Sequence, residues 1–185
     1  MKRREFLTSA AVAGFAGNTL LGAREQLPRR TYKNGVELSV IGFGGIVVVG
    51  LEQAKANGIV ADAIARGLNY FDVAPTYGDG EAEQKLGIAL QPYRKSVFLS
   101  CKAEKRDAEG ARAQLQSSLK RLNTDQFDLY QFHAVKTPEE AKQIMGPGGA
   151  GGGIHSSQKR WRRPLHRFFR PRCRSCQDAD GGHAA

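Results

Sequence analysis

Residues 67–81 read GLNYFDVAPTYGDGE, and the fold turns on this stretch. Residues 70–74 form a short apolar run of strand character that stops at Pro75. Residues 76–80 are rich in turn formers, and Glu81 opens a helical pattern. Asp72 and Tyr77 therefore stand where a strand gives way to a loop. Further along, VFLSCKAEKRD (97–107) puts Lys102 at the exit of another apolar run, and FDLYQFHAV (127–135) puts His133 at the exit of a third. The steps from Asp72 to Lys102 to His133 are nearly equal, at about 30 residues, as repeated strand–helix units require. Parallel strands laid side by side, each presenting a polar group at the same end, are how an α/β barrel builds its site. A carboxylate, a phenol, an amine and an imidazole converging there point to proton transfer to a carbonyl.

The rest of the middle fits the same plan. Asn34-Gly35 is a hairpin turn between two extended stretches. Residues 41–48 read as the first buried strand, with Gly42, Gly44 and Gly45 allowing close backbone approach. Helices are expected over 52–66, 81–90 and 108–122, the last capped by Asp107, with strands over 70–74, 97–101 and 128–132. Thr137 and Pro138 supply the cap and first position of a fourth helix. The order is a hairpin followed by four β/α units.

The chain has 185 residues and a net charge of +10, which at first sight suggests a polyanion partner. The excess sits at the ends. Residues 1–30 hold six Lys/Arg against two acids and residues 151–185 hold eight against two, while residues 31–150 hold fourteen of each. The barrel segment thus gives no sign of nucleic-acid binding. Three cysteines make no disulfide framework: Cys101 lies inside an apolar strand, and Cys173 and Cys176 form a lone C-x-x-C.

Residues 1–23, MKRREFLTSAAVAGFAGNTLLGA, have a charged start, a short apolar stretch and a small-residue end, which is signal-peptide organisation. Arg3-Arg4-Glu5-Phe6-Leu7 resembles the twin-arginine export motif. That resemblance implies the twin-arginine export machinery as a partner and a periplasmic or exported location. It also implies a protein folded around its cofactor before export. The apolar stretch is too short for a stable membrane span.

The hairpin, GFGG, G-x-N-Y-F-D-V-A-x-x-Y-G-x-G, E-Q-K-L-G, V-F-L-x-x-K, S-L-K-R-L and D-L-Y-Q-F-H together resemble the aldo/keto reductases, in order and spacing, over residues 31–145. The resemblance implies a (β/α)8 TIM-type barrel and NADPH-dependent reduction of a small aldehyde or ketone. It implies a catalytic tetrad of Asp72, Tyr77, Lys102 and His133, with Gly44, Gly45 and Asp72 near the cofactor and no metal. The chemistry has its own logic. Hydride arriving at a carbonyl carbon makes an alkoxide that must be protonated as it forms. A phenol titrates near about 10 and donates poorly at neutrality, but an ammonium beside it stabilises the phenolate left behind. Asp72 would hold Lys102, and His133 would orient the carbonyl. Each residue also has a plainer reading: a salt-bridge partner, a loop residue packed on a helix, a solvated strand end, a hydrogen-bonded core histidine. Their joint placement at one end of three successive strands favours the tetrad.

A barrel of this type takes roughly 250 residues, and about four units of eight are legible here. From residue 151 the composition turns basic and apolar periodicity vanishes. A reading frame shifted by one nucleotide accounts for residues 151–185, since codon degeneracy then permits RYIGFSAH, which resembles the family's fifth strand. The expectation is a barrel segment over 31–150 and a disordered out-of-frame tail, in a truncated chain with impaired activity. The alternatives are a non-catalytic product of a damaged gene and a basic-tailed nucleic-acid-binding module, with Trp161, Phe168 and Phe169 stacking on bases. Zinc held by Cys173, Cys176 and His183 falls short of the usual four ligands.

Overall fold

The computed structural model describes residues 26–32 and 35–158. The expected signal sequence, Asn34 of the hairpin turn, and Trp161, Phe168, Phe169, Cys173, Cys176 and His183 lie outside the described residues.

Two strands, β1 (Arg29–Thr31) and β2 (Glu37–Ser39), pair antiparallel as the expected hairpin. Asn69 fixes it to the barrel segment. Its Oδ1 accepts from the Ser39 backbone N–H at 2.8 Å, and its Nδ2 donates to the Glu37 carbonyl at 2.8 Å. Tyr32, just past β1, packs edge-on against Phe98, with ring centroids 6.1 Å apart.

The main sheet is parallel. Strands β3 (Phe43–Gly44), β4 (Tyr70–Asp72), β5 (Phe98–Ala103) and β6 (Leu129–Phe132) lie in the order β3-β4-β5-β6. Helices α1 (Gln53–Ala65), α2 (Glu81–Leu90), α3 (Ala108–Arg121), α4 (Pro138–Met145) and α5 (Ala150–Gln158) complete the chain order. Sequential parallel strands joined by helices make this a partial (β/α) barrel.

The helix ends follow their caps. Asp107 accepts from the Gly110 N–H at 2.7 Å and Thr137 from the Glu140 N–H at 3.2 Å, each satisfying a donor of the first turn. Pro138 occupies the first helical position as expected.

Register separates the two faces of the sheet. Phe43, Phe71 and Leu99 align across β3, β4 and β5, and Cys101 aligns with Tyr130 of β6. All five are buried, and with Leu86, Leu90, Leu115 and Leu119 of α2 and α3 they belong to one apolar core. The alternate positions, set off by the strand's period of two, are Gly44, Asp72 and Ser100 in one row and Lys102 with Gln131 in the next. These rows stand toward the C-terminal ends of the strands.

The first strand differs from expectation. An apolar run over 41–48 predicts a strand, but only Phe43–Gly44 pair, and Gly45–Val48 coil into a 3-10 turn. A Cβ at Gly45 would lie 2.8 Å from Val73 Cγ2, so the backbone here presses against the residue following β4. Ile46 and Val47 stay more than half exposed, whereas a strand buried on both faces would hide them. At the other end, helix α5 crosses the boundary expected at residue 150 and runs to Gln158, with Ala150 and Ile154 buried.

Candidate active site

Asp72 ends β4, and the chain turns through Pro75 and Thr76 to Tyr77. The Tyr77 N–H donates to the Ala74 carbonyl at 3.1 Å, and the Tyr77 carbonyl accepts from the Ala82 N–H at 3.2 Å. Gly78, Asp79 and Gly80 all adopt left-handed backbone, with φ of 62°, 53° and 89°. Such a run is accessible to Gly-Asp-Gly and to few other triplets, and it feeds the chain directly into α2.

Lys102 lies in β5 rather than at its exit, since that strand runs to Ala103. Its Nζ donates to Asp72 Oδ2 at 2.5 Å and to the Tyr77 phenolic oxygen at 3.0 Å. It also sits 4.8 Å from the centroid of the Tyr77 ring. The other Asp72 oxygen, Oδ1, accepts from Gln131 Nε2 at 3.2 Å, and the same Gln131 nitrogen donates to Ser100 Oγ at 3.1 Å. Burial alone would push the Lys102 amine down, but its hydrogen bonds to Asp72 and Tyr77 outweigh that and leave it above the ordinary lysine value. Lys102 is thus an ammonium, which only donates. Because it donates to the Tyr77 oxygen, the proton of Tyr77 is left for an acceptor elsewhere.

His133 follows β6, its N–H donating to the Ala103 carbonyl at 2.8 Å. The next residue, Ala134, takes a left-handed φ of 52°, which is unfavourable for a residue with a Cβ. Arg106 braces that turn, donating to the His133 carbonyl at 2.7 Å. The imidazole stands edge-on to the Tyr77 ring, with centroids 6.1 Å apart and planes at 87°. Its Nδ1 lies 3.0 Å from Glu104 Oε1, which also accepts from Thr76 Oγ1 at 2.6 Å. Burial would raise the Glu104 carboxyl, but Thr76 and His133 prevail and hold it below the ordinary range.

The four residues singled out by spacing therefore come together. Of the two glycines, Gly44 is the register partner of Asp72 and a Cβ on it would meet nothing within 4 Å. Gly45 is accounted for by its contact with Val73. Sequence reasoning missed Glu104, Gln131, Thr76 and Ser100. Glu104 is hidden in the charge run EKRD, which reads as a solvated loop. Gln131 was legible in principle, because it alternates with the buried Tyr130 and lies two residues before His133.

Residues 40–147 match the Aldo/keto reductase family. That is more than half of the chain, and the chain belongs to this family. Among curated relatives, it is 33% identical over 117 residues to the uncharacterized oxidoreductase YqkF of Bacillus subtilis, a match covering 57% of this chain and 38% of that protein. It is 34% identical over 131 residues to the aldo-keto reductase YhdN of the same organism, covering 60% and 40%. The chain thus spans about two fifths of the length of these relatives. Among solved structures, it resembles the aldo-keto reductase AKR11C1 from Bacillus halodurans, with a TM-score of 0.56 and 27% identity, covering 65% of this chain and 45% of that one. A Klebsiella pneumoniae aldo/keto reductase solved with NADP and acetate gives a TM-score of 0.51 and 26% identity, covering 64% and 44%.

Proposed function

We propose that this site reduces the carbonyl of a small aldehyde or ketone to an alcohol, with Tyr77 as proton donor and NADPH as hydride source. The observation that carries the reading is the Lys102 ammonium bonded at once to Asp72 and to the Tyr77 oxygen. A phenol so placed gives up its proton to a developing alkoxide, and the ammonium stabilises the phenolate that remains. Asp72 holds the ammonium and Gln131 holds Asp72. His133 stands across the Tyr77 ring, where it can meet the substrate oxygen.

The residues also fit the reactive end of a nicotinamide cofactor, which supplies the hydride when bound. The Asp72 side chain is 26% exposed beside Lys102, and Gly44 beside it leaves its backbone uncovered. Gly44 and Asp72 would hold that end of the cofactor. The Klebsiella relative, solved with NADP, supports the choice. The export reading is part of the same proposal and rests on the signal-peptide organisation of residues 1–23 together with Arg3-Arg4-Glu5-Phe6-Leu7. Fusing residues 1–30 to a folded reporter, with and without Arg3→Lys and Arg4→Lys, tests it by the reporter's compartment.

A second reading, a non-catalytic product with the family's ancestry, has one observation in its favour. Among the described residues the parallel sheet stops at β3 and β6 without closing. The discriminating experiment follows NADPH consumption by the purified 185-residue chain against a panel of aldehydes and ketones. Consumption that Tyr77→Phe abolishes supports the reductase. No consumption by a folded chain supports the second reading.

A further inference from the structure

Outside the Lys102 cluster, the proton-delivery scheme leaves unused the contact between the side chains of His133 and Glu104. We propose that Glu104 is a positioning residue that fixes the tautomer of His133, keeping the ring proton on Nδ1 and making Nε2 a hydrogen-bond acceptor while the ring is neutral. This rests on the reductase reading only for its consequence; the tautomer itself does not depend on turnover.

The geometry supplies the argument. An imidazole nitrogen 3.0 Å from a carboxylate oxygen must carry the proton between them, because an ionised carboxylate only accepts. Glu104 is held in that ionised state. Thr76 Oγ1 donates to the same oxygen, and Arg106 contributes a favourable charge nearby. Its backbone is fixed as well, with the Glu104 N–H donating to Gln114 Oε1 at 2.7 Å. His133 is pinned through its own N–H to Ala103 and its carbonyl to Arg106. Main-chain bonds place the ring, and Glu104 sets which nitrogen faces the site with a lone pair.

The consequence separates substrate from product. A carbonyl oxygen only accepts, so it meets a neutral Nε2 unfavourably and an imidazolium Nε2–H favourably. An alcohol carries a hydroxyl that can donate to the neutral Nε2. With its proton fixed on Nδ1, His133 therefore holds the alcohol in its neutral form and the carbonyl in its protonated form. Tyr77 is then the proton source whenever the ring is neutral.

The test is 15N NMR of the histidine side chains in the full chain, recorded at alkaline pH where an imidazole is neutral. Of the four histidines, the His133 signals are those missing from His133→Asn. The expected result is a protonated Nδ1 and an unprotonated Nε2. Glu104→Gln, whose amide carbonyl still accepts, keeps that pattern, and Glu104→Leu moves the proton toward Nε2. A wild-type ring protonated on Nε2, or a Glu104→Leu ring indistinguishable from wild type, overturns the proposal. The wild-type measurement decides even if Glu104→Leu fails to fold. Because no step requires catalysis, a chain that consumes no NADPH but shows the Nδ1 proton refutes the reductase reading and leaves this inference standing.

Discussion

At Lys102, burial and hydrogen bonding act on the amine in opposite senses, and the bonds to Asp72 and Tyr77 win. A folded value above the ordinary one means that the folded state prefers the ammonium more than the unfolded chain does. The resulting stabilisation is complete below the usual lysine range, near about 10.4, and is lost as pH rises through the folded value. Urea midpoints should therefore drop on entering that alkaline range, and Lys102→Met should flatten the drop. Glu104 has the opposite sign: its lowered carboxyl stabilises above the ordinary carboxylate range, and that contribution fades as pH falls. For the reaction itself, Tyr77→Phe removes the donated proton while keeping the ring. A loss of about 10²–10⁴-fold in kcat, with unchanged circular dichroism, is the expected outcome. The residues behind these effects were unequally legible. Asp72, Tyr77, Lys102 and His133 could be read because each sits where an apolar run ends, one unit apart. Glu104 could not, because its partners Thr76 and His133 are 28 and 29 residues away and meet it only across the loops.

Between elements, the most consequential contact is Glu83 of α2 with Arg121 of α3. Glu83 is fully buried; its Oε2 accepts from Arg121 Nε at 2.5 Å, and its Oε1 from the Cys101 thiol at 3.4 Å. Burial, with the Glu83 charge adding to it, pushes that thiol well above its ordinary value and keeps it inert. Removing Arg121 strands the fully buried Glu83 carboxylate, so Arg121→Ala should cost about 3–5 kcal/mol in urea denaturation. Glu83→Leu combined with Arg121→Leu should cost less than the two single changes added together. Helix bounds were readable from the sequence because caps are local: Asp107, Thr137 and Pro138 announce α3 and α4 where the structure has them. The first strand was misread because an apolar run with glycines does not reveal whether its backbone extends or coils. The contact of Gly45 with Val73 settles that, and it belongs to the tertiary structure.

Across the whole molecule, the sheet has two terminal strands, β3 and β6, among the described residues. Beside β3 stand four exposed apolar side chains, Val40, Ile41, Ile46 and Val47, at 45%, 54%, 56% and 52% exposure. Unpaired strand edges next to apolar surface favour self-association. Sedimentation should show assembly that grows with concentration, and Ile46→Lys with Val47→Lys should reduce it without lowering the urea midpoint. The barrel class was legible from the repeated units, but the passage of α5 through residue 150 was not, since GGGIHSSQ carries little helical periodicity. The central claim is that Asp72, Tyr77, Lys102 and His133 form a carbonyl-reducing site in this chain. Incubating the purified chain with an aldehyde and NADPH deuterated at its transferable position, then locating the label by mass spectrometry, tests that directly. The account predicts deuterium on the carbinol carbon of the alcohol from the wild-type chain, and labelling about 10²–10⁴-fold slower from Tyr77→Phe. A folded wild-type chain that transfers no deuterium to any aldehyde or ketone, or a Tyr77→Phe chain that transfers it equally well, would contradict the account.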